Sequence, residues 1–97
     1  MAQFDLYRLA NGQLVVDLQT DLIGIDATRI VAPLRDPAHY TAFAELTPVV
    51  AVEGADWIVR IQELVALPDA DLQTPVGSLA EHHQALRHAL NILIDGL

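Results

Sequence analysis

Cysteine and lysine are both absent from the 97-residue sequence, and each absence removes a class of function. Without cysteine there is no disulfide, no thiol nucleophile and no thiolate metal site, and a reducing compartment suits the chain. Without lysine, positive charge rests on Arg8, Arg29, Arg35, Arg60 and Arg87, set against thirteen Asp and Glu for a formal net charge of −8. Nucleic-acid binding draws its affinity from clustered Lys and Arg that release counterions, and these arginines stand singly along the chain. Direct nucleic-acid binding is therefore not expected. Long apolar runs are missing as well: no segment approaches the roughly 20 residues of a membrane-spanning helix. The start, Met1-Ala2-Gln3-Phe4-Asp5, has neither the basic residues nor the apolar stretch of a secretory leader. The expectation is a cytoplasmic protein without membrane contact.

What is present is apolar. Hydrophobic residues make up 53% of the sequence, more than a disordered segment tolerates, so a packed core is expected. A chain of this length is one domain, residues 1–97, and hides only about 60–65% of its unfolded surface. A homodimer would bury what the lone domain leaves open.

The pattern along the chain runs from strands to a helix. Gln3 to Leu9 and Gln13 to Leu18 flank Asn11-Gly12, a dipeptide that favours a two-residue hairpin turn with positive φ. A third run, Thr28 to Ala32, is expected to stop at Pro33, which cannot donate a ladder hydrogen bond. Residues Arg35 to Glu45 read as a loop with a short strand or turn. Val49 to Val52 and Trp57 to Ile61, separated by Glu53-Gly54-Ala55-Asp56, predict a second hairpin. From Glu63 to Val76, prolines and aspartates suggest a short helical turn and a connector. Ser78-Leu79-Ala80-Glu81 has the form of a capping box, placing helix entry at Ser78. Leu79, His83, Leu86, Leu90, Leu93 and Leu97 then form one apolar stripe, and Gly96 can end the helix in a left-handed conformation. The fold class is α+β.

Near the end of that helix, Ile92 and Asp95 do not serve its stripe. Both lie roughly opposite it, and a carboxylate in the last turn opposes the helix dipole, so stability gives no reason for Asp95. Helix-borne metal pairs sit three or four residues apart, whereas His82, His83 and His88 are separated by other spacings, so no metal site or cofactor is expected. His83 reads as a histidine at the core edge with a bonded ring nitrogen, and the other histidines as solvated. Asp17 and Asp21 suit turn capping, and Trp57 suits a structural place on a strand. No catalytic constellation emerges, and the chain is not expected to be an enzyme.

As a set, these residues resemble the CcdB family of toxin–antitoxin toxins, over nearly the whole chain. The pieces are Gln3-Phe4 with Tyr7, Asp17-x-Gln19-x-Asp21, Arg29-x-Val31-x-Pro33-Leu34, Leu46-x-Pro48-Val49-Val50, Trp57, Pro68, Val76-x-x-Leu79, Ala89-x-Asn91 and the final Gly96-Leu97. The resemblance implies an SH3-like barrel of antiparallel strands, of the CcdB/MazF type, with a long C-terminal helix. It also implies a homodimer that poisons DNA gyrase by inserting its helix ends at the gyrase A subunit interface, and that is neutralised by the disordered segment of a CcdA-like antitoxin. Contact positions carried over are Asn91, Asp95, Gly96 and Leu97 for the target, and Asp21, Leu22 and Ile23 for the antitoxin. One position departs: gyrase poisons of the family typically have tryptophan where Asp95 stands. A central aromatic anchor is worth about 2–4 kcal/mol, against about 0–1 kcal/mol for an exposed ion pair. Two rival readings follow: a non-toxic or retargeted relative that binds antitoxin only, and a MazF-like endoribonuclease, which the lysine-free acidic composition disfavours.

Overall fold

A computed structural model describes residues 2–21 and 28–96 of the chain. Among these residues seven strands form the sheet: β1 (Asp5–Arg8), β2 (Leu14–Asp17), β3 (Thr28–Arg35), β4 (Val49–Val52), β5 (Ala55–Val59), β6 (Val65–Pro68) and β7 (Gly77–Ser78). One α-helix follows, α1 (His83–Asp95). The strand order is β4-β5-β3-β2-β1-β7, with β6 also on β3, and every pairing is antiparallel.

The long β3 organises the molecule. Along one edge it pairs with β2; along the other, Thr28 to Val31 pair with β6 and Leu34 to Arg35 with β5. The sequence pattern ends this strand at Pro33, but the strand runs through it to Arg35. The Pro33 carbonyl accepts from Arg60 N at 3.0 Å. In a strand, N–H and C=O of one residue face the same edge, so the missing N–H faces the gap where β6 has ended and β5 begins. Proline costs no ladder bond there. β6 forms where the sequence pattern predicts a connector; its register on β3 is a tertiary pairing that its Val-Ala-Leu-Pro sequence does not announce.

Both predicted hairpins form, but neither turn is of the predicted length, and the strand expected over Trp57 to Ile61 is Ala55–Val59, with Ile61 in a 3-10 turn. At Asn11-Gly12 the loop is longer: Gly12 N bonds Leu9 O at 2.8 Å, and Leu9 N bonds Gln13 O at 2.9 Å. Only Gly12 has positive φ, 89°, so this is a β-turn closed by a left-handed residue, the three-residue hairpin. The two-residue turn with both φ positive is instead Glu53-Gly54, at 53° and 81°, where Val52 pairs with Ala55. Between Asp36 and Phe43 there is loop and no strand, followed by a 3-10 turn at Ala44–Leu46.

Alternation along the strands supplies two cores. Leu6, Val16 and Ala32 face the larger cluster, which α1 covers with Leu86 and Ala89, while Tyr7, Val15 and Val31 face a smaller one capped by Leu72. Both faces of β1, β2 and β3 are therefore buried in part.

Helix entry differs from the capping-box expectation. Ser78 belongs to β7 opposite Asp5, Leu79 N bonds Phe4 O at 2.8 Å, and the Ser78 hydroxyl accepts from Ala80 N at 3.1 Å. A 3-10 turn, Ala80–His82, precedes α1, and Glu81 turns to His82 at 3.7 Å and does not reach back to Ser78. Sheet pairing of Gly77–Ser78 outcompetes the local cap. The other end matches expectation: Gly96 has φ 73° and bonds Ile92 O through its N–H at 2.9 Å.

Candidate functional site

The last turn of α1 is an exposed platform on an anchored rod. Leu86 and Ala89 are fully buried, Leu90 and Leu93 pack on the same core, and Arg87 covers the Phe4 ring at 5.5 Å. His88 Nε2 meets Glu45 Oε2 at 2.8 Å, tying the helix to the Ala44–Leu46 turn, so this histidine is paired where the sequence predicts a solvated one. His83 Nδ1 lies 2.9 Å from Ala80 O, as expected of a core-edge ring. Beyond these anchors Asn91, Asp95 and Gly96 are exposed.

The isoleucine that stands out is Ile94, 73% exposed. Ile92, which the helical wheel places opposite the stripe, is half-buried. At 100° per residue Ile92 lies about 140° from the stripe's centre but only about 60° from buried Ala89, whose side of the helix is covered. Ile94 is also a flank position, but one beyond the covered part of the helix. The wheel puts Ile94 about 60° from the stripe's centre, nearer than Ile92 but on the side away from Ala89, and the buried side is Ala89's.

Asp21 is exposed and held: its Oδ1 accepts from Gln3 N at 2.8 Å and lies 3.6 Å from Arg29 Nη2. Leu22 and Ile23 of the antitoxin set, and Leu97 of the target set, lie outside the described residues. Among the described residues no hydrogen bond or ion pair joins Asp21 to Asn91, Asp95 or Gly96.

Beneath Asp21 sits a buried polar network. Asp17, wholly buried, accepts Gln19 N at Oδ1 (2.9 Å), the turn-capping role expected of it. Its Oδ2 also takes Arg29, 2.7 Å from Nη2 and 3.0 Å from Nε, a pair that sequence reasoning misses because the partners sit twelve residues apart on neighbouring strands. Arg29 further donates to Gln19 O at 3.2 Å. Phe4, at φ 71°, is fixed beside this network by its N–H on Asp17 O at 2.6 Å. Burial pushes the Tyr7 phenol above its usual range, Asp5 and Asp17 add to this, and Arg29 opposes it.

The arginines are not all single in space. Arg35 and Arg60 both lie over the Tyr40 ring, at 5.4 and 5.2 Å, and both pair with Glu63, at 3.2 and 2.9 Å. Hydrogen bonding from Arg35, foremost, with the charges of Arg35 and Arg60, holds the Glu63 carboxyl below the usual carboxylate range despite its partial burial. Trp57 is half-buried against the larger core, as a structural indole should be. A groove of about 440 Å³ opens between the β1–β2 turn and the segment after β6, with Arg8, Asn11, Asp71 and Gln73 on its walls. No group of three or more acidic, His or Cys side chains among the described residues could hold a metal ion.

An antiparallel half-barrel closed by a C-terminal helix is the CcdB/MazF type of fold. The solved structure of the Mycobacterium tuberculosis toxin MazF-mt6 is similar at a TM-score of 0.72, over 94% of this chain and 94% of that one, with 19% sequence identity. The family model described as CcdB protein matches residues 3–96. This chain belongs to the CcdB family, the toxin–antitoxin family its residue pattern resembles.

Proposed function

We propose that the chain is the toxin of a type II toxin–antitoxin system, a homodimer that docks on the DNA gyrase A subunit through the last turn of α1 and is neutralised by a disordered, CcdA-like antitoxin. The observation that carries this reading is an exposed, apolar-tipped helix end on a fully anchored helix, with Ile94 73% exposed and Gly96 turning the chain off the axis. Such a tip gains nothing for folding and offers a partner about 1.5–3 kcal/mol for each apolar side chain it buries. Asn91, Asp95, Gly96 and Leu97 are the target contacts on this reading, joined by Ile94, and Asp21, Leu22 and Ile23 contact the antitoxin. The action is by binding, without catalysis. Exposed Val65 and Val76 are available to a second subunit.

A second reading is favoured by Asp95, an exposed carboxylate where a gyrase poison carries tryptophan. On it the chain binds antitoxin only and competes with an active toxin. Expression in a bacterial host, with growth and gyrase-dependent DNA cleavage followed together, separates the two. Growth arrest with accumulated cleavage complexes supports the gyrase reading, and deletion of Gly96-Leu97 abolishes both. Toxicity that survives this deletion in a folded protein overturns the assignment of the tip. Unimpaired growth, with toxicity appearing in Asp95→Trp, supports the antitoxin-only reading.

A further inference from the structure

Asn11-Gly12, in the turn between β1 and β2, carries a chemistry that the proposed function does not use. An asparagine followed by glycine can close on itself: the glycine nitrogen attacks the side-chain carboxamide, and the missing glycine side chain leaves that approach open. Nothing lies within 4 Å of the place where a Cβ of Gly12 would stand, and both residues are exposed.

The turn holds the groups that such a closure needs. Asn11 Oδ1 accepts from Gln13 N at 3.0 Å, which folds the carboxamide forward over the Gly12 peptide. The same N–H stands ready to stabilise this oxygen when attack makes it negative. Gln13 is itself fixed, with its side chain on Leu34 O at 2.8 Å and on Arg35 Nη1 at 2.7 Å. Arg8 Nη1 donates to Gly12 O at 3.2 Å, which sets a guanidinium within one residue of the attacking nitrogen. A cation there favours the deprotonated amide and the anion that forms from it. None of the ion pairs among the described residues uses Arg8, so its charge is not spent elsewhere. The opposing charge is Asp71, on the wall of the groove that Arg8 and Asn11 also line. Arg8 prevails over it because the guanidinium touches the glycine residue itself, and Coulomb energy falls with distance. One bond resists: Gly12 N donates to Leu9 O at 2.8 Å and must be released before attack. That is the opening of a single exposed turn bond and not unfolding.

We propose that Asn11 is a site of spontaneous deamidation in the folded protein, promoted by the Arg8 guanidinium and the Gln13 N–H. Gly12 N gives its proton to solvent and bonds to Asn11 Cγ. The Cγ–Nδ2 bond breaks, and ammonia leaves with a proton taken from solvent, closing a succinimide ring. Water then opens the ring. Attack at Cγ leaves aspartate; attack at the Asn11 main-chain carbonyl carbon leaves isoaspartate, in which the chain runs through Cβ and Cγ. Either product adds a negative charge beside Arg8 in the groove, and isoaspartate also lengthens the main chain of the turn by a methylene. The other asparagine of the chain, Asn91, serves as an internal control. It lies within α1, where helical hydrogen bonds occupy the amides, and the residue after it is the β-branched Ile92.

The test is incubation of the purified chain in mildly alkaline buffer, followed by tryptic digestion and mass spectrometry. Cleavage after arginine puts Asn11 on the peptide 9–29 and Asn91 on the peptide 88–97. The expected result is a gain of about 1 Da on the first peptide only, which fragmentation places at residue 11. Its rate should be no slower than that of a short capped Leu-Ala-Asn-Gly-Gln peptide. Arg8→Gln should slow the reaction by about threefold or more, added salt should slow the wild type toward the rate of the short peptide, and Asp71→Asn should speed it. Circular dichroism checks that each variant is folded, and the salt series decides the matter if Arg8→Gln is not. An unmodified Asn11, conversion slower than in the short peptide, or conversion confined to the urea-unfolded chain overturns the proposal. So does a wild-type rate in folded Arg8→Gln, or a wild-type reaction indifferent to salt. Neither toxicity nor a partner enters these readouts, so failure here leaves the proposed function standing.

Discussion

Arg29 and Arg60 carry the same charge on adjoining parts of one sheet, and the fold uses them oppositely. Arg29 is 6% exposed, with its Nε and Nη2 bonded to Asp17 and to the Gln19 carbonyl, and it locks the end of β2 against β3. Arg60 sits at the rim, bonded through Nε alone and stacked on a ring. The same contrast divides α1, whose inner residues Leu86 and Ala89 have no contact with solvent while Asn91, Ile94 and Asp95 are exposed. Interior groups are saturated by partners, because an unpaired buried polar group is costly; rim groups keep unused capacity, and that capacity is where binding can occur.

The contrast is sharpest where a buried charge is stranded. Arg29→Met leaves Asp17 wholly buried without its cation and should cost about 3–5 kcal/mol, read as a shift in the denaturant midpoint. Adding Asp17→Leu to that variant should return part of the loss, since the two effects are coupled; strict additivity would show that the two side chains act independently. Leu86→Ala removes a fully buried side chain from the helix–sheet core and should cost about 2–5 kcal/mol, the spread reflecting how far the site collapses. A thermal unfolding curve within error of wild type would deny that α1 is anchored at this point.

Smaller effects belong to the rim. Gly96→Ala forces a Cβ into a left-handed conformation at φ 73°, with open space around it, so the cost is backbone strain of about 1–2 kcal/mol and no clash. Calorimetry should show it, together with fraying of the last turn. Arg60→Met gives up a partly buried ion pair but leaves Glu63 paired with Arg35, and should change stability by about 0–1 kcal/mol, far below Arg29→Met. Smallest is Ile94→Ser, expected within about 0.5 kcal/mol of wild type in unfolding while weakening growth arrest wherever the wild type is toxic. A large loss of stability in that variant would mean the residue is buried in an assembly and is not free for a target.

Much of the site is legible in the sequence, and the reasons differ by residue. Gly96 is readable because a left-handed helix end requires a residue without Cβ, and the exposure of Asn91 and Asp95 follows from the helical period. Ile92 draws the eye in place of Ile94, since the stripe of large apolar residues is centred away from Ala89, and only the packing shows that the buried side is rotated towards that small residue. The Arg35–Arg60 pair is hidden for another reason: the two residues are far apart in sequence, and only the β3–β5 register carries them onto one tyrosine. The turn that Asp17 caps is a local feature and can be foreseen, but its ion pair with Arg29 depends on the β2–β3 register.

By itself the sequence determined the composition of the interior, the order of strands before helix, the two hairpins, the left-handed stop at Gly96 and the acidic surface. These depend on residue type and on periods of two and 3.6 that operate over a few neighbours. Tertiary structure alone decided the rest: that Pro33 lies inside a strand, that Val65–Pro68 pairs at all, that Ser78 serves β7 before any helix, and which arginines are spent and which are free. Each of those outcomes is a competition between a local preference of about 1 kcal/mol and a long-range pairing that buries several side chains at once. The long-range pairing prevails because it is worth more, and no short window of sequence contains both of its partners.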